Sequence, residues 1–178
     1  MAMKILKIVF LVYFFLASLV AFLPKKNLYY YGEEKLSRLK TIITNEHIKE
    51  GLFSLELRNA DIYVEKIRVA KVMEARLQTY LLSTHLEAHQ IRLSGMVKNF
   101  LPTKIEILKM RYDLWDPLKV KFTVSGEFGK ASGKYLLAAH KIIVVVHPSK
   151  MMRSRYPSIL RKMKKEKNGG YSYEQRFY

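Results

Sequence analysis

LKVKFTVS, residues 118–125, decides the fold class: Leu118, Val120, Phe122 and Val124 alternate with Lys119, Lys121, Thr123 and Ser125. A period of two puts successive side chains on opposite faces of a strand, here one apolar and one wet. The same period runs through the flanking sequence. Upstream, Phe53, Leu55 and Leu57 alternate with Ser54, Glu56 and Arg58, the phase slips at Asn59-Ala60-Asp61, and Ile62 and Val64 then carry the apolar face. A second slip at Glu65-Lys66 restarts the alternation at Ile67 and Val69, continued by Met73, Ala75 and Leu77. Ile91 and Leu93 lead to a Ser94-Gly95 break. Ile105 and Ile107 pass through a reset at Leu108 into Met110, Tyr112 and Leu114, closed by Asp116-Pro117. A slip of one residue turns every side chain to the other face, so each reset must be a turn or a bulge. The pattern predicts a mainly β protein built as an antiparallel meander with one apolar and one solvated face.

Downstream, Gly126, Gly129 and Gly133 in GEFGKASG predict a hairpin before the apolar strand Ile142 to Val146, ended by Pro148. Glycines inside strands mark bulges or close backbone approach. Their spacing does not fit a phosphate-binding loop, which needs a following Lys-Ser/Thr pair opening a helix.

The N-terminus is of another kind. IVFLVYFFLASLVAFL, Ile8 to Leu23, carries no charge between Lys7 and Pro24-Lys25-Lys26. Such a run predicts a membrane anchor. A cleaved signal peptide has a similar basic start and apolar core, but Leu19 or Phe15 would occupy the position where cleavage wants a small residue. A soluble core helix is the third reading. Lys25, Lys26, Lys35, Arg38 and Lys40 after the span favour a cytoplasmic body by the positive-inside count, whereas a basic leader before an apolar core is a standard export signal. A short helix is expected from Lys26 to Lys40, with Leu28, Tyr31, Leu36 and Leu39 on one side. The triplet Tyr29-Tyr30-Tyr31 reads either as an interfacial aromatic belt or as half-buried tyrosines packing that helix on the sheet.

The net charge of +17 divides into +2 through Pro24, +8 over residues 25–148 and +7 over the last thirty residues. Pro157 begins a predicted helix in which Ile159, Leu160 and Met163 interleave with Arg161, Lys162, Lys164 and Lys165 before Asn168-Gly169-Gly170. A basic amphipathic helix of this kind contacts anionic lipid or an acidic partner, or caps the sheet as a solvated helix. The resulting organisation is an anchor over 1–24, an antiparallel β domain with its leading helix over 25–148, and a basic tail over 149–178.

For chemistry the chain offers little. With no cysteine, disulfides, thiolate nucleophiles and Cys-type zinc sites are excluded. His85, Glu87 and His89 share one strand face in HLEAH, but not in zinc-peptidase order. Glu56, Glu65, Glu74 and Glu106 read as polar-face residues that pair across strands. No catalytic constellation, metal site or cofactor is expected, and the protein reads as non-enzymatic.

Several stretches carry a family likeness: Pro24-Lys25-x-x-Leu28-Tyr29-Tyr30, then LFSLELRNADIYVEKIRVAKV (Leu52 to Val72), SGEFGKASGKYLL (Ser125 to Leu137) and Gly170-Tyr171-Ser172-Tyr173-Glu174. Together they make the chain resemble the type II secretion system protein N family and its AsmA-like relatives. The resemblance implies a single-pass protein of the bacterial inner membrane whose periplasmic body is a long, curved antiparallel sheet with an apolar inner surface. The leading expectation is an accessory or structural component of a secretion or envelope-assembly system. Its expected partners are membrane lipids and other secretion or envelope proteins, and no nucleic acid. A lipid groove of the AsmA-like kind is the alternative, and a cytoplasm-facing basic tether for nucleic acid is a third. The expected lipid or partner contacts are Phe53, Leu55, Leu57, Val120, Phe122 and Val124, and the expected anionic-surface contacts are Arg161, Lys162, Lys164 and Lys165.

Overall fold

A computed structural model describes residues 2–22, 24–38, 40–95 and 102–177. Helix α1 (Ala2–Phe22) is followed by α2 (Lys25–Arg38). Eleven strands follow: β1 (Thr41–Thr44), β2 (His47–Glu50), β3 (Ser54–Val64), β4 (Ile67–Thr79), β5 (Ser83–Leu93), β6 (Lys104–Asp113), β7 (Lys119–Gly126), β8 (Gly129–Leu136), β9 (Lys141–Pro148), β10 (Lys164–Lys165) and β11 (Tyr171–Arg176). Two short helices, α3 (Lys150–Arg155) and α4 (Pro157–Arg161), lie between β9 and β10. All strands belong to one antiparallel sheet in the order β1-β3-β4-β5-β6-β7-β8-β9-β11-β10, and β2 shares with β1 the outer edge of β3. The mainly β class and the meander read from the alternation both hold.

The phase slips have a common cause. Pairing passes over Asn59, Met73, Gln90 and Glu106, which lie side by side at one level of β3, β4, β5 and β6. Asn59 and Gln90 take left-handed backbone, φ 58° and 52°, a conformation that locally bends and twists a strand. Each strand therefore changes phase at the same level, and the apolar face stays coherent across the break. Above the break the partners are Leu57, Ala75, Ala88 and Leu108; below it they are Ala60, Val72, Ile91 and Ile105. The turn read at Glu65-Lys66 is present, with φ 50° and 70°.

Three expectations are corrected. In β4 the phase does not run unbroken from Ile67 to Leu77: Ile67 is exposed, and Ala70 and Val72 are the buried pair before the change at Met73. In β6 the reset comes at Glu106, so that Leu108 rather than Ile107 joins the apolar row. The basic tail is not one helix. After Pro157, α4 lasts to Arg161, the Lys162 and Met163 amides turn back to Ile159 and Leu160 carbonyls, and Lys164-Lys165 pairs as strand with Ser172 and Tyr171. The Gly169 turn, φ 77°, folds Tyr171–Arg176 back along β9, where ladder hydrogen bonds override the helical period. The sheet thus continues beyond Pro148.

Among the described residues, no single helix is long and apolar enough to cross a membrane; Leu6–Phe22 and Lys25–Arg38 would do so only as a pair bent by 60°. Within α1, Phe10, Leu11, Phe14 and Phe15 are exposed. Leu23 and Leu39, the ends of the expected anchor and helix stripe, lie outside the described residues.

Gly129 has φ +110°, and a Cβ there would press on the His147 carbonyl. Gly133 leaves room for the Phe122 ring over the neighbouring strand. At the far end, Ser149 caps α3: its Oγ accepts from the Met152 amide at 3.1 Å and donates to the Glu127 carbonyl at 2.6 Å. Ser149→Ala removes both bonds, and thermal melts should show a loss of about 1 kcal/mol.

Candidate functional site: an apolar groove

Helix α2 covers the apolar face of β3–β6 only in part: Leu55, Ala60, Val72, Ala88 and Ile91 are buried, and open space remains beside them. That face forms the floor of a groove of about 590 Å³ that runs along the strands from Leu77 and Thr79 at one end to Ile62, Ile91 and Ile105 at the other. From Leu55 to Ile62 the floor extends roughly 23 Å at the usual strand rise. Its middle is made of small side chains, Ala60, Ala75 and Ala88, which create the depth, and larger leucines and isoleucines form the flanks.

Helix α2 supplies one wall through Lys25 and Tyr29. The junction of the two helices is pinned by Lys25, which is buried. Its backbone amide donates to Glu50 Oε1 at 2.7 Å, and its Nζ donates to the Val20 and Ala21 carbonyls at 3.2 Å, satisfying the C-terminus of α1. Tyr29 Oη donates to Glu46 Oε1 at 3.3 Å. Burial first, then the charges of Glu46 and Glu33, hold the phenol above its ordinary pKa, so Tyr29 stays neutral as a donor. Tyr30 and Tyr31 are exposed, so of the three tyrosines Tyr29 is the half-buried one.

Of the residues expected to contact lipid or partner, Leu55 and Leu57 line the groove. Phe53 does not: it precedes β3, is exposed, and contributes its carbonyl to the Thr79 amide at 2.8 Å. Val120, Phe122 and Val124 pair with Tyr112, Met110 and Leu108 and extend the same apolar face past the groove proper. Arg161, Lys162, Lys164 and Lys165 are all exposed but are split between α4, its cap and β10. Sequence reasoning missed Lys25, Tyr29 and the three alanines. The signal for the first two was their position in the Pro24-Lys25-x-x-Leu28-Tyr29 motif.

The opposite face is charged. Glu56 meets Arg76 directly across β3 and β4 at 2.7 Å. Glu87 meets Lys109 across β5 and β6 at 2.9 Å, with His89 Nε2 at 3.2 Å. Among the described residues no three His, Asp or Glu side chains converge to hold a metal ion. The hydrogen bond from Lys109, with the nearby charges of Lys109 and His89, keeps the Glu87 carboxyl below its ordinary pKa despite some opposing desolvation. A carboxyl depressed in the folded state contributes stability above its unfolded pKa and loses it as pH falls through the folded one. Lys109→Ala should therefore raise the Glu87 titration midpoint, read by carboxyl-carbon NMR, and shrink the acid-induced loss of stability.

No family model, curated protein or solved structure matches this chain. The site is therefore described by its own geometry: an elongated, mainly apolar trough with Thr79, Lys25 and Tyr29 in its lining, walled on one side by a helix that continues from an exposed apolar one.

Proposed function

We propose that this protein is a non-enzymatic, membrane-anchored lipid-groove protein of the bacterial envelope, with α1 in the bilayer and the sheet holding an acyl chain along β3–β6. The observation that carries the reading is the groove floor, where Leu55, Leu57, Ala75, Leu77, Leu86, Ala88 and their neighbours form an apolar track as long as the strands, with the charged side chains on the other face. An apolar trough of this size exposed to water is unfavourable unless something apolar occupies it. The exposed apolar side chains of α1, among them Phe10, Leu11, Phe14 and Phe15, support its placement in a bilayer. The family likeness of the Pro24–Tyr30 and Leu52–Val72 stretches supports the inner-membrane, periplasm-facing placement.

The test is site-specific photocrosslinking in cells grown with labelled phosphate. A benzophenone side chain at Leu86, on the groove floor, should capture labelled phospholipid, and one at Lys121, on the opposite face, should not. Equal labelling at both sites, or none at Leu86, would rule the reading out. A reporter active only in the periplasm, fused after Tyr178, tests the side of the membrane.

A second reading, accessory component of a secretion or envelope-assembly system, is favoured by the sheet edge. Among the described residues, β10 pairs only with Tyr171 and Ser172, leaving Tyr173–Arg176 of β11 without a partner on that side. An open edge accepts a strand from another protein. Crosslinking from Glu174 in cells should recover that protein, and recovery of none would remove this reading.

A further inference from the structure

Most of the exposed large apolar side chains of the sheet gather at one end of the strands, with Ile42, Val64 and Ile67 at the other. Tyr80 and Leu82 lie in the β4–β5 turn, Leu114, Trp115 and Leu118 between β6 and β7, and Phe177 after β11. Trp115 is 80% exposed and Leu118 62%, values at which these side chains contribute nothing to the fold they sit on. Backbone hydrogen bonds tie these turns to their neighbours: Leu114 N–H to the Leu82 carbonyl at 2.9 Å, Leu137 N–H to Leu118 at 2.8 Å and Phe177 N–H to His140 at 2.7 Å. They therefore form one continuous rim. The described turns of the opposite end are mainly polar, Glu65-Lys66, Glu127-Phe128 and Lys167-Asn168-Gly169, although Val64 and Ile67 flank the first of them exposed.

Two independent features lie at the same end. The first is α1. Its exit into α2 is fixed to Glu50 by the Lys25 amide, and Glu50 pairs with Leu55 beside the Gly51–Phe53 turn, so the apolar helix leaves the body at this rim. The second is pairing behind the tips: in the last row of the ladder, Lys119, Leu136, Lys141 and Arg176, Lys119 pairs with Asp116, Lys141 pairs with Glu174, and Arg176 Nε donates to the Ala139 carbonyl at 3.2 Å, so the apolar tips stand on a largely neutralised row.

We propose that this strand-end rim docks on a lipid bilayer, its apolar tips entering the headgroup region with Trp115 as anchor. Tryptophan favours that interface because its ring is apolar and its N–H still finds a polar partner. The rim also brings the Leu77–Thr79 end of the groove to the membrane surface. Docking depends on the rim alone and holds whether or not the groove carries lipid.

Trp115 is the chain's one tryptophan, so intrinsic fluorescence reports on this rim without a label. The full chain is reconstituted in vesicles of phosphatidylglycerol and phosphatidylethanolamine, with and without nitroxide-bearing lipids. The expected result is blue-shifted emission, protected from iodide and strongly quenched by the nitroxide lipids. The double variant L114D/L118D, changed only at exposed positions and checked for its β circular dichroism, should return the emission to its aqueous position and lose most of the lipid quenching. Iodide-accessible emission that ignores the nitroxides in the unaltered protein would overturn the proposal. Lipid quenching that survives the double substitution would overturn it too, because it would then arise from the tether alone.

Discussion

Leu77→Asp is expected to empty the groove. Leu77 stands between Leu55 on β3 and Leu86 on β5, so the three leucines form a row across the floor. A carboxylate in that row must either be buried against an acyl chain or keep its water. The cost is about 3 kcal/mol or more, roughly a hundredfold loss of lipid affinity. With the groove empty the side chain is solvated, so the sheet should still form. The measurement is the phospholipid retained per chain after purification, with Lys121→Asp on the charged face as a variant that should retain its lipid. Ala75→Phe with Ala88→Phe separates polarity from space, since these two alanines are direct cross-strand partners and the paired rings would fill the middle of the groove without adding charge. That double variant should lose lipid, and because Ala88 is buried its melting temperature should fall as well. A double variant that keeps its lipid would show that the chain runs elsewhere.

Leu55→Ala is expected to be the most destabilising simple truncation. At 1% exposure, Leu55 is the one large side chain fully enclosed among the described residues. A Leu→Ala change at such a site removes transfer energy and leaves a cavity, about 2–5 kcal/mol in total. The main buried cluster of the sheet is thin and built of Ala60, Ala70, Val72, Ala88 and Ile91. Against a typical domain stability of about 5–15 kcal/mol, the loss is a large fraction. For a chain of this size the melting temperature should fall by roughly 4–20 °C. Leu118→Ala, on the exposed rim, should change stability by less than about 0.5 kcal/mol. Both are read from delipidated protein, because bound lipid would add its own stabilisation.

The groove and the rim meet in one arrangement. Helix α1, the Gly51–Phe53 turn, the Tyr80–Leu82 turn and the Leu114–Leu118 turn occupy the same end of the sheet, and the trough opens between them at Leu77 and Thr79. A lipid drawn from the bilayer would enter with its acyl chain directed along β3–β6. Docking supplies the entrance and the alanine floor supplies the space.

Much of the sheet was legible because alternation is a local signal. Residues 118–125 form β7 nearly as read, and the slip at Asn59 is a strained, phase-changing position in β3. The change at Met73 was hidden because methionine is apolar and supports either phase, so Ile67 and Val69 read as core in place of Ala70 and Val72. In β6 the adjacent Ile107 and Leu108 blurred the position of the reset. The groove floor was harder to see. Alanine carries almost no pattern of its own, and Ala60, Ala75 and Ala88 acquire meaning only when pairing sets them side by side. Lys25 was read only as one of the charges that follow the apolar span and is instead buried, its ammonium capping the helix before it. The tail misled for a different reason: Ile159, Leu160 and Met163 keep a helical period, but the Gly169 turn and the free edge of β9 offered ladder hydrogen bonds that a short basic helix could not match.

The most direct measurement is native mass spectrometry of the full chain released from its own membrane in a mild detergent, followed by lipid identification on the released ligand. One phospholipid per chain, retained by the unaltered protein and absent from Leu77→Asp, is the expected result. A chain that carries no lipid, or that carries the same lipid after Leu77→Asp, would contradict a groove built to hold an acyl chain.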